Sequence, residues 1–256
     1  MDQHRSTQRY EPVDSDEERD LVAAMEKLAD KYPRWGYRAI ARLLKEQGWA
    51  VNVKRIERLW RVEGHRIPPS KAKKSGQKAL GGPENSSRRR PARYVHDVWA
   101  YDFVSGRVRR GGPIRILNVV DEYSRMSLGS KVARSIGTTS VRSHLEQLFE
   151  LHGTPNAIRS DNGREFIAAT LRAWLEDRGV EAIFIEKGKP QQNAFVERFN
   201  GTMRRDLLNV EEMNNITEAR VLVDRFNLEY NTERPHRGLG MMTPLAFAAS
   251  RNMRPG

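Results

Sequence analysis

Apolar positions in the first quarter of the chain follow a helical period. Leu21, Met25 and Leu28 recur at spacings of four and three, which predicts a helix beginning near Asp14. Tyr32-Pro33-Arg34-Trp35-Gly36 breaks it. Ile40, Leu43 and Leu44 predict a second helix over 37–47, ended by Gly48. Asn52 can cap a third, with Ile56, Leu59 and Trp60 on one face and Arg55, Arg58 and Arg61 elsewhere on its circumference. Two short helices split by a glycine-containing turn, the second rich in arginine, look like a helix-turn-helix. A plain small helical bundle reads similarly.

The texture changes over 66–94, where nine basic residues face one acid, Glu84. Proline, glycine and serine replace apolar periodicity, so this reads as a flexible linker, either tracking phosphates or simply solvated. Beyond it strands and helices alternate, with strands predicted at 98–104, 114–120 and 126–132 that together suggest an antiparallel meander. A helix over 138–152 follows, with Val141, Leu145, Leu148 and Phe149 on its apolar face. Then come a short strand at 157–159, a helix over 166–178 closed by Gly179, a strand at 180–185, and a long helix from Pro190 to about Leu208. This order predicts an α/β, ribonuclease-H-like core: a mixed five-stranded sheet with flanking helices, preceded by a small all-α domain. The expected boundaries are 14–66 for the helix-turn-helix, 67–92 for the basic linker, 93–212 for the core and 213–256 for a C-terminal helical extension.

Charge narrows the partner. The formal net charge is +12, which suits a polyanion. There is no cysteine, which rules out disulfides and thiolate zinc sites and fits a reducing cytoplasm. No apolar run reaches a membrane span, and the N-terminus lacks the apolar stretch of a signal peptide.

Three acids carry the candidate chemistry. Asp102 falls within the first strand, Asp161 follows the fourth, and Glu197 sits on the long helix after it. Thirty-five residues separate Asp161 from Glu197. Two acids at strand ends and one on a helix can form a carboxylate cage, which suits hard, oxygen-ligated divalent ions. Two such ions, roughly 3.5–4 Å apart, suit in-line phosphodiester chemistry. Taken alone, Asp161 before Asn162-Gly163 is equally a turn residue.

The phrases around these acids resemble the second-frame product of two-frame bacterial insertion-sequence transposases, whose core is similar to retroviral integrase. His96, Trp99 and Asp102 supply the first phrase, and Asp161, Asn162, Gly163, Glu165 and Phe166 the second. Gly188, Pro190, Asn193, Ala194, Glu197 and Phe199 supply the third, and Tyr230, Asn231, Arg234, Pro235, His236 and Leu239 the last. The resemblance covers almost the whole chain. It implies a DDE-type polynucleotidyl transferase in which Asp102, Asp161 and Glu197 hold two Mg²⁺, with Mn²⁺ able to substitute, and carry strand cleavage and joining.

Arg204, two helical turns after Glu197, is expected on DNA phosphate. Asn193 and Gln192 at the helix entrance, Arg88, Arg89 and Arg90 in the linker, and Arg55 and Arg58 on the third helix are further expected DNA contacts. Asp121 and Glu122, His96 and Trp99 are expected to be structural, Glu165 to make local hydrogen bonds, and His236 to pack near the site or touch DNA. The partners implied are double-stranded DNA (element ends and target), further copies of the chain on that DNA, and an upstream-frame protein. Residues 1–9 read like the middle of a longer protein, so a catalytically silent DNA-binding regulatory product is the alternative. A ribonuclease acting on RNA–DNA hybrids shares the fold but not the Asn193, Arg204 or C-terminal phrases.

Overall fold

The computed structural model describes residues 16–66, 90–186 and 190–251, and the chain divides into two compact units between Pro69 and Ser70. In the first unit α1 (Asp16–Lys31), α2 (Tyr37–Glu46) and α3 (Val53–Val62) surround a core in which Leu21, Met25, Ile40, Leu44 and Ile56 are completely buried. These are the periodic positions of the sequence. Asn52 caps α3 by accepting from the Lys54 N–H at 3.0 Å. Gly48 takes a φ of +92°, which lets the chain turn sharply after α2 without a side-chain clash.

The second unit is a three-layer α/β/α sandwich. Its sheet has the order β3-β2-β1-β4-β5, with β1 at Val98–Val108, β2 at Gly112–Asp121, β3 at Ser127–Ala133, β4 at Ala157–Ser160 and β5 at Glu181–Phe184. The first three strands form an antiparallel meander, and β4 and β5 add in parallel. Strand β1 divides its residues between the two layers, as the two-residue strand period requires. Trp99 and Tyr101 pack with Val141, Leu145 and Leu148 of α4 (Thr138–His152) and with Leu171, Trp174 and Leu175 of α5 (Ala169–Glu176). Ala100 and Val104 face the other way. They meet Val196, Phe199 and Met203 of α6 (Ala194–Met203) and Val223, Phe226 and Tyr230 of α7 (Ile216–Thr232). Asp102 lies between Ala100 and Val104 in this alternation, which puts it on the α6 side.

Two elements differ from the sequence reading. The long helix expected from Pro190 is three segments: a 3₁₀ turn at Pro190–Asn193, then α6, then a π-helical turn at Arg204–Leu208. Asn193 leaves helical geometry (φ −109°, ψ 26°) with its side chain turned toward the Tyr101 carbonyl. The π turn buries Leu207 while Asp206 pairs with both Arg205 and Arg234. The helix expected over 166–178 contracts to α5, because residues 163–167 form a turn closed by Phe166 and Ile167 N–H groups on the Gly163 carbonyl. Residues beyond 212 are integral to the second unit. α7 lies on β3 and shares the α6 core, and α8 (Pro244–Ala249), capped by Thr243, packs beside α7.

Candidate active site

Asp102 is the most constrained of the three acids. In the β1–β2 ladder it stands directly opposite Asn118. One carboxylate oxygen accepts the Phe103 N–H at 2.7 Å and the other accepts Asn200 Nδ2 at 3.0 Å. Asn200 is one turn beyond Glu197 on α6, and its own Oδ1 accepts Asn118 Nδ2 at 2.7 Å. Asn118 Oδ1 accepts the Ser130 hydroxyl at 2.5 Å, and Asn227 Nδ2 of α7 donates to the same hydroxyl oxygen at 3.0 Å. A polar chain therefore runs from α7 through β3, β2 and α6 to a carboxylate on β1. A carboxylate only accepts, so the Asn200 amide must turn its NH₂ toward Asp102 and its oxygen toward Asn118. Burial pushes the Asp102 carboxyl up to about 6, and the negative charges of Asp161 and Glu197 push in the same direction.

Asp161 follows β4 directly. β4 pairs with β1 in parallel, the ladder ending with Arg159 beside Ala100, and Asp161 and Asp102 each lie two residues beyond that last pair. Its Oδ1 accepts the Gly163 N–H at 2.9 Å, so the turn reading of Asp161-Asn162-Gly163 and the site reading are both met by one residue. A Cβ at position 163 would sit 3.0 Å from that oxygen, which leaves little room for any other residue there. Glu197, in the first turn of α6, is exposed. The three carboxylates thus come from a strand, a strand end and a helix, near enough to act electrostatically on one another. Their donors are all oxygen, as a hard divalent cation requires, and a cation would offset both the burial of the Asp102 carboxylate and the smaller repulsion from Asp161 and Glu197. The residues fit such a group in kind, although among the described residues no three acidic or imidazole groups form a closed cluster that could hold a metal ion. Asp102 has both oxygens committed to Phe103 and Asn200.

The neighbouring acids are structural. Asp121 accepts the His96 N–H at 2.9 Å and both the N–H and hydroxyl of Ser124 at 2.7 and 2.6 Å. Glu122 and Arg159, both almost fully buried, pair at 2.7 Å. Trp99 Nε1 donates to His96 Nδ1 at 3.2 Å, and Glu165 pairs with Arg115.

The expected DNA contacts separate. Arg204 is exposed, and its guanidinium makes no hydrogen bond or ion pair among the described residues. Asn193 is only 2 % exposed and turned into the sheet, so a direct DNA contact from its side chain is not available in this conformation. Gln192 bridges to Glu186, accepting its N–H at 2.9 Å. Arg90 is engaged with Asp97 and Glu181, and Arg88 and Arg89 lie outside the described residues. In the first unit Arg55 and Arg58 both bind Glu18 of α1, at 3.2 and 2.8 Å. These pairs tie α3 to α1, and the Arg58 pair is exposed enough that opening it costs about 1 kcal/mol or less.

Comparison with known proteins gives the same picture. Two integrase core domain models match residues 93–190 and 178–244, and an HTH-like domain model matches 15–73. The chain is 32% identical over 251 residues to the 31.7 kDa protein of insertion element IS407 from Burkholderia multivorans, covering 96% of this chain and 86% of that protein. It is 25% identical to the transposase of insertion sequence element IS904 from Lactococcus lactis, covering 84% of this chain and 87% of the other. Among solved structures, a chain of the simian T-cell lymphotropic virus intasome is similar in fold, with a TM-score of 0.54 at 14% identity over 91% of this chain and 77% of that one. With an integrase core, an HTH-like domain and insertion-element relatives along nearly its whole length, the chain belongs to the insertion-sequence transposases.

Proposed function

We propose that this transposase cuts and joins DNA strands at a site built from Asp102, Asp161 and Glu197. The observation that carries this reading is the environment of Asp102: a half-buried carboxyl, held by Asn200, whose proton affinity is raised first by burial and further by Asp161 and Glu197. Three acids from separate elements that burden one another in this way are costly without a compensating cation. Asp102, Asp161 and Glu197 would hold two Mg²⁺, or Mn²⁺ in their place. When bound, such ions activate a water or a sugar 3′-hydroxyl and stabilise the leaving oxygen.

The protein's own contribution is placement. β1 and Asn200 fix Asp102, the Gly163 N–H fixes Asp161, and Glu197 comes from α6, the helix on the face of the sheet that Asp102 occupies. Arg204, on the surface just after α6, meets a DNA phosphate beside the acids. The substrates are the element ends and target duplex, bound by more than one copy of the chain, with an upstream-frame protein assisting end recognition.

The test uses the purified chain with a duplex carrying the element ends and Mg²⁺ or Mn²⁺. Asp161→Asn should abolish nicking and joining while DNA affinity stays the same or rises slightly, since a negative charge is lost. Joining by that variant at the wild-type level overturns the assignment.

A further inference from the structure

Arg115 of β2 touches two segments that hold the acids. Its guanidinium lies over the Phe103 ring, 3.9 Å from the centroid, and its Nη1 pairs with the Glu165 carboxylate at 2.5 Å. Phe103 follows Asp102 and donates its N–H to that carboxylate at 2.7 Å. The Phe103 ring stacks on Phe166, with centroids 4.9 Å apart and planes 11° from parallel. Phe166 is almost fully buried and lies against Gly163, where an added Cβ would come 3.1 Å from its ring. Gly163 is the residue whose N–H holds Asp161. The Glu165 carbonyl accepts the Thr138 hydroxyl at 3.3 Å, which ties the same turn to the start of α4. In the two-residue strand period Arg115 shares a sheet face with Leu117, the face away from Asp102. It therefore lies behind the acids and is not among them.

We infer that Arg115 is a positioning residue of the strand-joining site: with Glu165 it clamps the turn after Asp161 against Phe103 and so fixes the spacing of Asp102 and Asp161. The β1–β4 ladder ends at Ala100 and Arg159, short of both aspartates, so side-chain contacts must supply the constraint that the ladder does not. Two carboxylates that share a cation must be held to within about 0.5 Å. A guanidinium suits this task because its flat face covers a ring while its edge pairs with a carboxylate. A lysine ammonium can do the second and not the first. This inference rests on the strand-joining reading above.

The experiment compares Arg115→Ala, Arg115→Lys and Glu165→Gln with the wild-type whole chain. Hydrogen–deuterium exchange without metal or DNA reads the clamp itself. In Arg115→Ala the amides of Phe103 and Gly163 should exchange about 10-fold faster, and those of the first unit and α7 at the wild-type rate. Arg115→Lys should fall between, since it keeps a charge for Glu165 and loses the cover on Phe103. The joining assay then reads the site. Arg115→Ala should raise the Mg²⁺ concentration for half-maximal joining by about 10-fold, as for other residues that orient metal ligands, with duplex affinity in EDTA within about twofold. A role in stability alone would lower joining equally at every Mg²⁺ concentration. Glu165→Gln keeps size and removes only the charge; it should repeat both effects more weakly, so the test stands even if Arg115→Ala fails to fold. Unchanged exchange at Phe103 and Gly163, or an unchanged Mg²⁺ requirement, overturns the inference and leaves the strand-joining reading intact. Loss of duplex affinity in Arg115→Ala would make Arg115 a DNA contact and overturn its positioning role. Joining by Asp161→Asn at the wild-type level overturns the strand-joining reading, and the inference with it.

Discussion

Asn200 donates its Nδ2 hydrogen to Asp102 at 3.0 Å while sitting one helical turn beyond Glu197. One helix therefore carries one acid of the proposed site and holds another. Asn200→Ala should lower strand joining by about 10- to 100-fold, the range for a lost hydrogen bond to a charged group, with DNA affinity little changed. Asn200→Asp should be worse, because it sets a fourth carboxylate against Asp102. Parallel joining and filter-binding assays separate these outcomes from a loss of DNA affinity; joining at the wild-type rate by both variants would remove Asn200 from the site.

Asn118 makes that arrangement depend on α7. It is completely buried and links the Asn200 oxygen to Ser130, which in turn meets Asn227. Replacing Asn118 by Leu leaves the Asn200 amide oxygen without its partner, while the Ser130 hydroxyl keeps Asn227. A cost of about 1–3 kcal/mol in unfolding free energy is expected for the oxygen left unpaired. Asn227→Ala, further along the chain, should cost less stability than Asn118→Leu yet still reduce joining. Urea titration alongside the joining assay reads both effects.

The fold was legible in the sequence because its signals are local and periodic. Strand β1 is predicted in its place, and the structure then shows its two-residue period sending Trp99 and Tyr101 to one layer and Ala100 and Val104 to the other. The three-part helix after Pro190 was not legible. What breaks it at Asn193 is a side chain reaching the Tyr101 carbonyl 92 positions away, and no local pattern carries such a contact. The three acids were visible as phrases, whereas Asn200 passed as one more polar residue on α6. Its partners, Asn118 and Asp102, come from two strands, and only the β1–β2 register puts those two opposite one another. The arginine expectations failed to resolve for a related reason. Periodicity places Arg55 and Arg58 on the surface of α3 without showing that Glu18 of another helix reaches them.

Glu122 and Arg159 form a buried pair whose side chains are 3 % and 5 % exposed. Burial pushes the Glu122 carboxyl up, and the Arg159 guanidinium opposes that push. Removing one partner leaves a buried charge unmatched, so Glu122→Ala or Arg159→Ala alone should destabilise the second unit by about 3–5 kcal/mol. Replacing both with Leu and Met should cost much less than the sum of the single changes. A double-mutant cycle by chemical denaturation checks this, and additive losses would show that the pair is not coupled.

His144 and His236 give stability a defined pH dependence. Burial lowers both to about 4, with Lys131 adding to the effect at His144 and Arg234, Arg125 and Arg198 adding at His236. In the unfolded chain each titrates near pH 6.5. Between about pH 6.5 and 4 the unfolded chain holds protons that the folded chain does not, so stability falls as pH falls through this window and is unaffected by these groups above it. At pH 5.5 the loss should be about 1 kcal/mol per histidine relative to pH 7.5. Urea midpoints at the two pH values should move closer together in His144→Gln and again in the double variant with His236→Gln. An unchanged gap in the double variant would mean that other groups carry the acid sensitivity of this unit.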